Sequence, residues 1–440
     1  MSPDPGVTAL FDRAAGLPQA AQAHGCWITD EEGRRYLDGA SGALVVNVGH
    51  GDPRLVDAVR TQIEKFSYVH ATVFTSALAE RYADRLADRL PLDDARVYPV
   101  SGGSEAVETA LKVARAYHLA RGDDARSVVI GREISYHGNT RGALDVSGRL
   151  SLREPYRPWL GLSGRVPGVL EYRCPNPAHP DGCAGWHAQR LEEEILRVGP
   201  DRVAAFIAEP VGGAASGAAV PPPGYWDEIS GVCSAHGVLI IADEVMTGFG
   251  RTGRWFASEH FGLRPDIVTM AKGAASGYWP LGICAFSGEI AETIAVSGLT
   301  HGFTFSHHPV GAAAGLAVLD RIEELDLVDA ALVRGGQLRT ALDSAIGDHS
   351  HVGEVRGIGL LLAVEMVADR ESKEPFPAEY RIAAKVAESA KREGLLVYPS
   401  TGCAGVQGGD LVMIGPPLVI DEDEIEVLAR SMARALEGLT

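Results

Sequence analysis

Between residues 95 and 290 the chain alternates short apolar runs with stretches whose apolar positions recur at helical spacing. That alternation predicts βαβ units and a mainly parallel sheet. Predicted strands cover 96–100, 127–131, 203–209, 238–243, 267–270 and 282–286. Several are apolar at successive positions, as strands buried on both faces are. A helix is predicted over 104–121, where Ala106, Ala110, Leu111, Val113, Ala114 and Tyr117 share one side. Ser104 at its start and Glu105 in its first turn suit a helix N-terminus.

The flanks read differently. Residues 25–38 form a predicted hairpin ending in Tyr36-Leu37-Asp38, and beyond about residue 320 amphipathic helices over 329–346, 378–393 and 422–437 mix with short strands. We read residues 1–60 and 321–440 as the two parts of one smaller α+β domain, around a large domain of 61–320. A total of 440 residues suits such a division. Residues 165–185, rich in Pro and Gly, form an expected surface excursion within the large domain. Its Cys174, His179 and Cys183, with His187 just beyond, invite a zinc reading. Their spacings match no common zinc template, so a cross-packed loop and no metal are expected.

Composition narrows the function classes. Hydrophobic residues make up 46% and charged residues 22%, ordinary for a folded enzyme and unlike a disordered or fibrous chain. A net charge of −18 opposes nucleic acid and anionic membranes as partners, since both repel a negative surface. The start, Met1-Ser2-Pro3-Asp4-Pro5, lacks a basic segment leading into an apolar run, and no stretch has the apolar length to span a bilayer, so a cytoplasmic location is expected. Six scattered cysteines read as reduced thiols rather than a disulfide framework.

Chemistry-bearing residues fall at predicted strand ends. Ser101-Gly102-Gly103-Ser104 lies where a strand gives way to a helix, and exposed backbone N–H groups there suit a phosphate; alone, the pattern also fits a tight turn. Asp243 ends the most apolar strand, at the sheet edge where open α/β sheets bind ligands, although a helix cap has the same look. Lys272, within Thr269-Met270-Ala271-Lys272-Gly273, ends another strand. Burial disfavours a charged amine and frees it to act as a Schiff-base nucleophile and proton shuttle, whereas a solvated strand-end lysine would do neither.

Together with further motifs these residues resemble the class III aminotransferases, pyridoxal 5'-phosphate (PLP) enzymes of fold type I. The resemblance runs over nearly the whole chain: Tyr36-Leu37-Asp38, SGGSEAVETALK from Ser101, Tyr136-His137-Gly138, Glu209-Pro210, Asp243-Glu244-Val245, AKGAASGYWPLG around Lys272, GFTFSHHP around Thr304, Arg356-Gly357-Ile358-Gly359-Leu360, and Pro416-Pro417. It implies a mainly parallel seven-stranded sheet in the large domain, with a smaller α+β domain from both termini. It implies that Lys272 holds PLP as a Schiff base and moves the substrate proton, that Asp243 pairs with the pyridine nitrogen, and that Tyr136 and Val245 flank the ring. Gly102, Gly103 and Ser104 would bind the phosphate, and His137 and Glu209 would belong to the cofactor site. Thr304 would complete the phosphate site of the neighbouring subunit, implying a homodimer.

The implied activity is amino transfer from an amino acid or amine, including a terminal amine, to a keto acid such as pyruvate or 2-oxoglutarate by a ping-pong mechanism. Racemases or epimerases, aminomutases and decarboxylases share the fold and stay open as alternatives, as does a binding protein that has kept it. One feature departs from the family pattern. Many members place a carboxylate-binding arginine shortly before the Pro-Pro motif, and here that stretch carries Val406, Gln407 and Met413 instead. Arg356, Arg153, Arg157 and Arg165 are the candidate replacements, and Tyr278-Trp279 is a candidate wall of the pocket or the dimer interface.

Overall fold

The computed structural model describes residues 16–161, 163–405 and 408–439. Residues Met1 to Pro5, Val406 and Gln407 lie outside the described residues. A hairpin, β1 (Ala20–His24), β2 (Trp27–Asp30) and β3 (Arg35–Asp38), opens the described chain. The middle contributes β4 (Arg96–Val100), β5 (Val128–Arg132), β6 (Gly164–Val166), β7 (Val203–Ala208), β8 (Leu239–Asp243), β9 (Ile267–Met270) and β10 (Gly282–Phe286). The last part adds β11 (Val352–Ile358), β12 (Leu361–Met366), β13 (Leu395–Leu396), β14 (Tyr398–Thr401) and β15 (Asp410–Ile414).

The middle strands form a seven-stranded sheet in the order β4-β10-β9-β8-β7-β5-β6. All run parallel except β10, which is antiparallel to both its neighbours. Alternate side chains along these strands enter different cores. Ile130, Phe206, Ile240 and Val268 face helices Cys183–Val198 and Tyr225–His236. Val129, Ala205, Ile207, Leu239, Ile241 and Ile267 face helices Gly103–Ala120 and Gly288–Ser297. Helices on both faces explain why these strands read as unbroken apolar runs.

A second sheet, β11-β12-β15-β14, is antiparallel and is backed by helices Leu327–Ile346 and Ile382–Arg392, on which helix Glu422–Leu436 packs. A third joins the two ends of the chain, because β13 pairs in parallel with β3, Leu395 opposite Leu37. The guanidinium of Arg251, fully buried, is a second tie. It donates to the carbonyl oxygens of Leu360 and Pro416 and to Asn47 Oδ1 at 2.8 Å, with no carboxylate in ion-pair reach among the described residues. Burial pushes its pKa down to about 9, which leaves it charged at neutral pH.

Three local expectations are corrected. The strand β6 lies at the start of the stretch read as a surface excursion, since three residues carry too little pattern to show. The helix expected over 378–393 breaks at Arg381, whose φ of 50° ends a 3-10 turn at Ala378–Tyr380. Helix Ile382–Arg392 then starts afresh, with Asp410 Oδ1 accepting from Ala383 N at 2.8 Å. The helix N-cap in the SGGS motif is Gly102 rather than Ser104, which sits inside the first turn. No described helix is long and apolar enough to cross a membrane.

Candidate active site

Parallel strands in the order β9-β8-β7-β5 bring four strand ends to one edge, so residues far apart in sequence become neighbours in space. Beyond β9 stands Lys272; β8 ends at Asp243; Glu209 follows β7; Tyr136 and His137 follow β5. At the same edge β4 leads into helix Gly103–Ala120. A cavity of about 210 Å³ opens among them, lined by Gly103, Ser104, Tyr136, His137, Glu209, Asp243, Val245 and Lys272.

Asp243 is held on both oxygens. The strand register sets Thr269 beside it, and its Oδ1 accepts from Thr269 Oγ1 at 3.2 Å and from Val245 N at 3.0 Å. Its Oδ2 faces His137 Nδ1 at 2.6 Å, both side chains being buried. A carboxylate accepts, so Nδ1 carries the proton and the other ring nitrogen, Nε2, is buried without a partner. The adjacent acid points the other way. Glu244 accepts from Ala257 N at 3.0 Å and from Ser258 N and Oγ at 2.7 Å, and so braces the loop behind Asp243.

Lys272 stands at φ 43°, a left-handed conformation uncommon for a side-chain-bearing residue, in a turn closed by Ser276 N donating to its carbonyl at 2.9 Å. Part of its side chain opens onto the cavity, yet the surrounding protein sets the charge of the amine. Burial pushes its pKa down to about 8, with Asp243 opposing and Arg251 reinforcing.

Ser104 Oγ accepts from Asn139 N at 3.0 Å, fixing the hydroxyl at the mouth of the helix. The first-turn N–H groups there have no intrahelical partner, which makes an anion cradle. A Cβ on Gly103 would come within 3.1 Å of Val245 and 3.6 Å of Ala271, so glycine leaves room here that a side chain would fill only by pushing Val245 aside. Gly102 stands behind it, its carbonyl accepting from Ala106 N at 3.0 Å. Glu209 serves two neighbours: it accepts from Tyr136 N at 3.1 Å and from the buried Arg132 at 3.1 Å. Burial raises the pKa of the Tyr136 phenol.

Thr304 and Tyr278-Trp279 stand apart from this cavity. Thr304 is exposed, its carbonyl accepting from Tyr68 at 2.8 Å. Tyr278 does not line the cavity: its hydroxyl donates to Gly49 O at 2.9 Å and accepts from Asp52 N at 2.6 Å. Trp279 packs against His308, ring centroids 5.0 Å apart.

This buried amine, carboxylate and anion cradle occur in a chain whose residues 14–436 match the family model described as "Aminotransferase class-III". The chain belongs to the class III aminotransferases. The uncharacterized aminotransferase YodT of Bacillus subtilis is 40% identical, covering 94% of each chain. An (S)-enantioselective omega-transaminase from Thermomicrobium roseum has a similar solved structure, with a TM-score of 0.91, 39% identity, and coverage of 96% of this chain and 93% of that one. An omega transaminase from Pseudomonas jessenii solved in complex with PMP gives 0.89 and 33%, covering 96% and 92%. The fold is that of the PLP-dependent transaminases, fold type I.

In this class III aminotransferase the arginines considered for the substrate carboxylate are otherwise engaged. Arg356 donates to Gly217 O, Ser216 O and Glu365, the last at 2.6 Å. Arg153 donates to Leu144 O and Ser147 O at 2.8 Å, Arg165 to the carbonyls of Gly164 and Asp145, and Arg157 is exposed with Glu154 at 3.9 Å. Burial pushes Arg165 down to about 10.

Arg149 was missed. Gly148 N donates to Ser135 O at 3.0 Å, which sets Arg149 beside the residues leading to Tyr136. A Cβ on Gly148 would lie 2.1 Å from Arg132 O, so only glycine allows this approach. Arg149 makes no side-chain hydrogen bond or ion pair among the described residues, its Nε is buried without a partner, and its charge acts on the Tyr136 phenol. The sequence holds four arginines between 149 and 165, and the fold separates half-buried Arg149 from Arg153 and Arg165, which are bonded to carbonyl oxygens, and from Arg157, which is exposed.

Proposed function

We propose that this chain binds PLP through Lys272 and transfers an amino group, terminal in at least some substrates, from an amine or amino acid to a keto acid by a ping-pong mechanism. The observation that carries the reading is a lysine with its pKa pushed down to about 8 in the same cavity as a firmly held carboxylate. The residues present fit the cofactor: an amine for its aldehyde, a carboxylate for its ring nitrogen, a helix N-terminus with Ser104 for its phosphate, and a glycine where a side chain would intrude. When bound, PLP supplies an electron sink for the carbanion left as a substrate carbon loses its proton. Lys272 Nζ, uncharged in part near neutrality, takes and returns that proton. Asp243 offers its carboxylate in the same cavity, His137 and Thr269 hold its direction, and Tyr136 and Val245 form the walls.

In place of the arginine absent before Pro416, Arg149 receives the substrate carboxylate in this reading. The test follows the cofactor's absorbance. A donor alone should convert the absorbance and release one carbonyl product, and pyruvate or 2-oxoglutarate should restore it. Solvent deuterium entering the substrate without a carbonyl product would select racemisation, carbon dioxide release would select decarboxylation, and either would overturn the assignment. Arg149→Met is expected to raise KM about tenfold or more for a carboxylated acceptor, the worth of a lost charge-assisted hydrogen bond. KM for an uncarboxylated amine should hold; equal losses for both would remove Arg149 from this role.

A homodimer in which Thr304 completes the partner's phosphate site belongs to the same proposal. Thr304 is exposed beside Phe305, and Val73 and Phe74 are exposed apolar residues too, at 57%, 68% and 63%, as at a protein interface. Light scattering should give twice the chain mass, and Thr304→Ala should weaken PLP binding about tenfold through one lost bond to a charged group. A monomer with undiminished cofactor affinity would sink this part.

A further inference from the structure

The stretch that follows β6 gathers ligands that its spacing does not announce. Glu171, Cys174, His179 and Cys183 each bring one donor atom, and all four lie within 4.8 Å of one another. The two sulfurs are 3.5 Å apart, and His179 Nδ1 is 3.3 Å from the sulfur of Cys183. With Zn–S near 2.3 Å and Zn–N near 2.0 Å, a tetrahedral ion sets such pairs at about 3.8 and about 3.5 Å, so these two pairs already stand within a few tenths of an ångström of ligand spacing.

We propose that Glu171, Cys174, His179 and Cys183 form a structural zinc site outside the catalytic cavity. The donor set is one carboxylate, one imidazole and two thiols, chemistry that favours zinc over hard cations. Four protein ligands leave no open position, which marks the site as structural rather than catalytic. The surroundings suit it. Cys183 opens helix Cys183–Val198, so its sulfur is fixed at the start of a regular element. The buried Asn176 side chain reaches the Cys183 sulfur from 3.4 Å through Nδ2, a donor to a metal-bound thiolate, and accepts from Ala178 N at 3.0 Å in the turn that brings His179 back. His179 is exposed, so an ion has a way in.

His187, grouped with these residues on sequence, stays apart. It is buried with its ring against Tyr225, centroids 5.7 Å apart, and burial pushes its pKa down to about 4. The zinc cluster borders a contact with the second sheet, where Arg173 donates to Glu365 Oε1 at 2.6 Å and to Lys373 O at 2.6 Å. A metal here fastens the excursion where it meets β12.

The test is metal analysis of the tag-free holoenzyme purified without added metal. About one zinc per chain is expected. Cys174→Ser and Cys183→Ser should each lose most of it, while His187→Gln should keep it. Cobalt exchanged into the parent should give thiolate-to-cobalt charge-transfer bands, which report sulfur ligation in the parent itself and so do not depend on how well the variants fold. A metal-free chain with all six cysteines titrating as thiols would overturn the proposal. So would a metal-free chain lacking two of them to a Cys174–Cys183 disulfide.

Discussion

Replacing Lys272 by methionine is expected to lower amino transfer about ten-thousand-fold or more, because the variant lacks both the attachment point and the proton carrier. The same change should stabilise the cofactor-free protein. The folded pKa of about 8 lies below the ordinary lysine value of 10.5, so the folded state binds the proton less tightly than the unfolded chain. Below about pH 8 both states are protonated and the whole cost of holding the charge falls on the folded state, roughly 3 kcal/mol at 1.36 kcal/mol per pH unit. Between about 8 and 10.5 the unfolded state carries more protons and stability rises with pH; above 10.5 the cost is gone. Methionine, similar in length and uncharged, should therefore raise the denaturation midpoint at pH 7, and the gain should vanish above pH 10.5. Chemical denaturation across that range decides it: parallel pH profiles for parent and variant would show that the amine is not held against its charge.

Asp243→Asn should lower kcat by about a hundred- to a thousand-fold, the usual loss for one preorganised charge. Folding should survive. Asparagine can keep an oxygen toward Val245 N and Thr269 Oγ1, and its amide can donate to His137 Nδ1 once that ring carries its proton on the now unpartnered Nε2. The variant loses charge rather than shape. Asp243 also raises the Lys272 pKa, so its removal should move the Lys272 limb of the pH–rate profile to lower pH. Rates near those of the parent would rule out an essential negative charge at the cavity wall.

The central sheet and the candidate pair in the cavity were legible because buried parallel strands read as apolar runs, and a polar residue at the end of such a run stands out. Asp243 and Lys272 are both of this kind. The second sheet was expected only as unplaced short strands. Its β14, Tyr398–Thr401, includes Pro399 and Ser400 and has no apolar alternation to read. Arg149 could not be told from its neighbours because its distinction is the absence of a partner, a property of the fold and not of spacing. The Cys174, His179 and Cys183 set failed against linear zinc templates because a turn at Asn176 and a helix start at Cys183 assemble it instead.

The buried Arg251 has a mechanical consequence. One guanidinium holds Asn47 from near the start of the chain, Leu360 from its last third and Pro416 from near its end, and its charge is felt at Lys272. None of those segments can peel away without stranding the same cation in a dry interior. Loosening at any of the three thus becomes a disturbance around Lys272, and the segments carrying Asn47, Leu360 and Pro416 are expected to melt in step with the floor of the cavity.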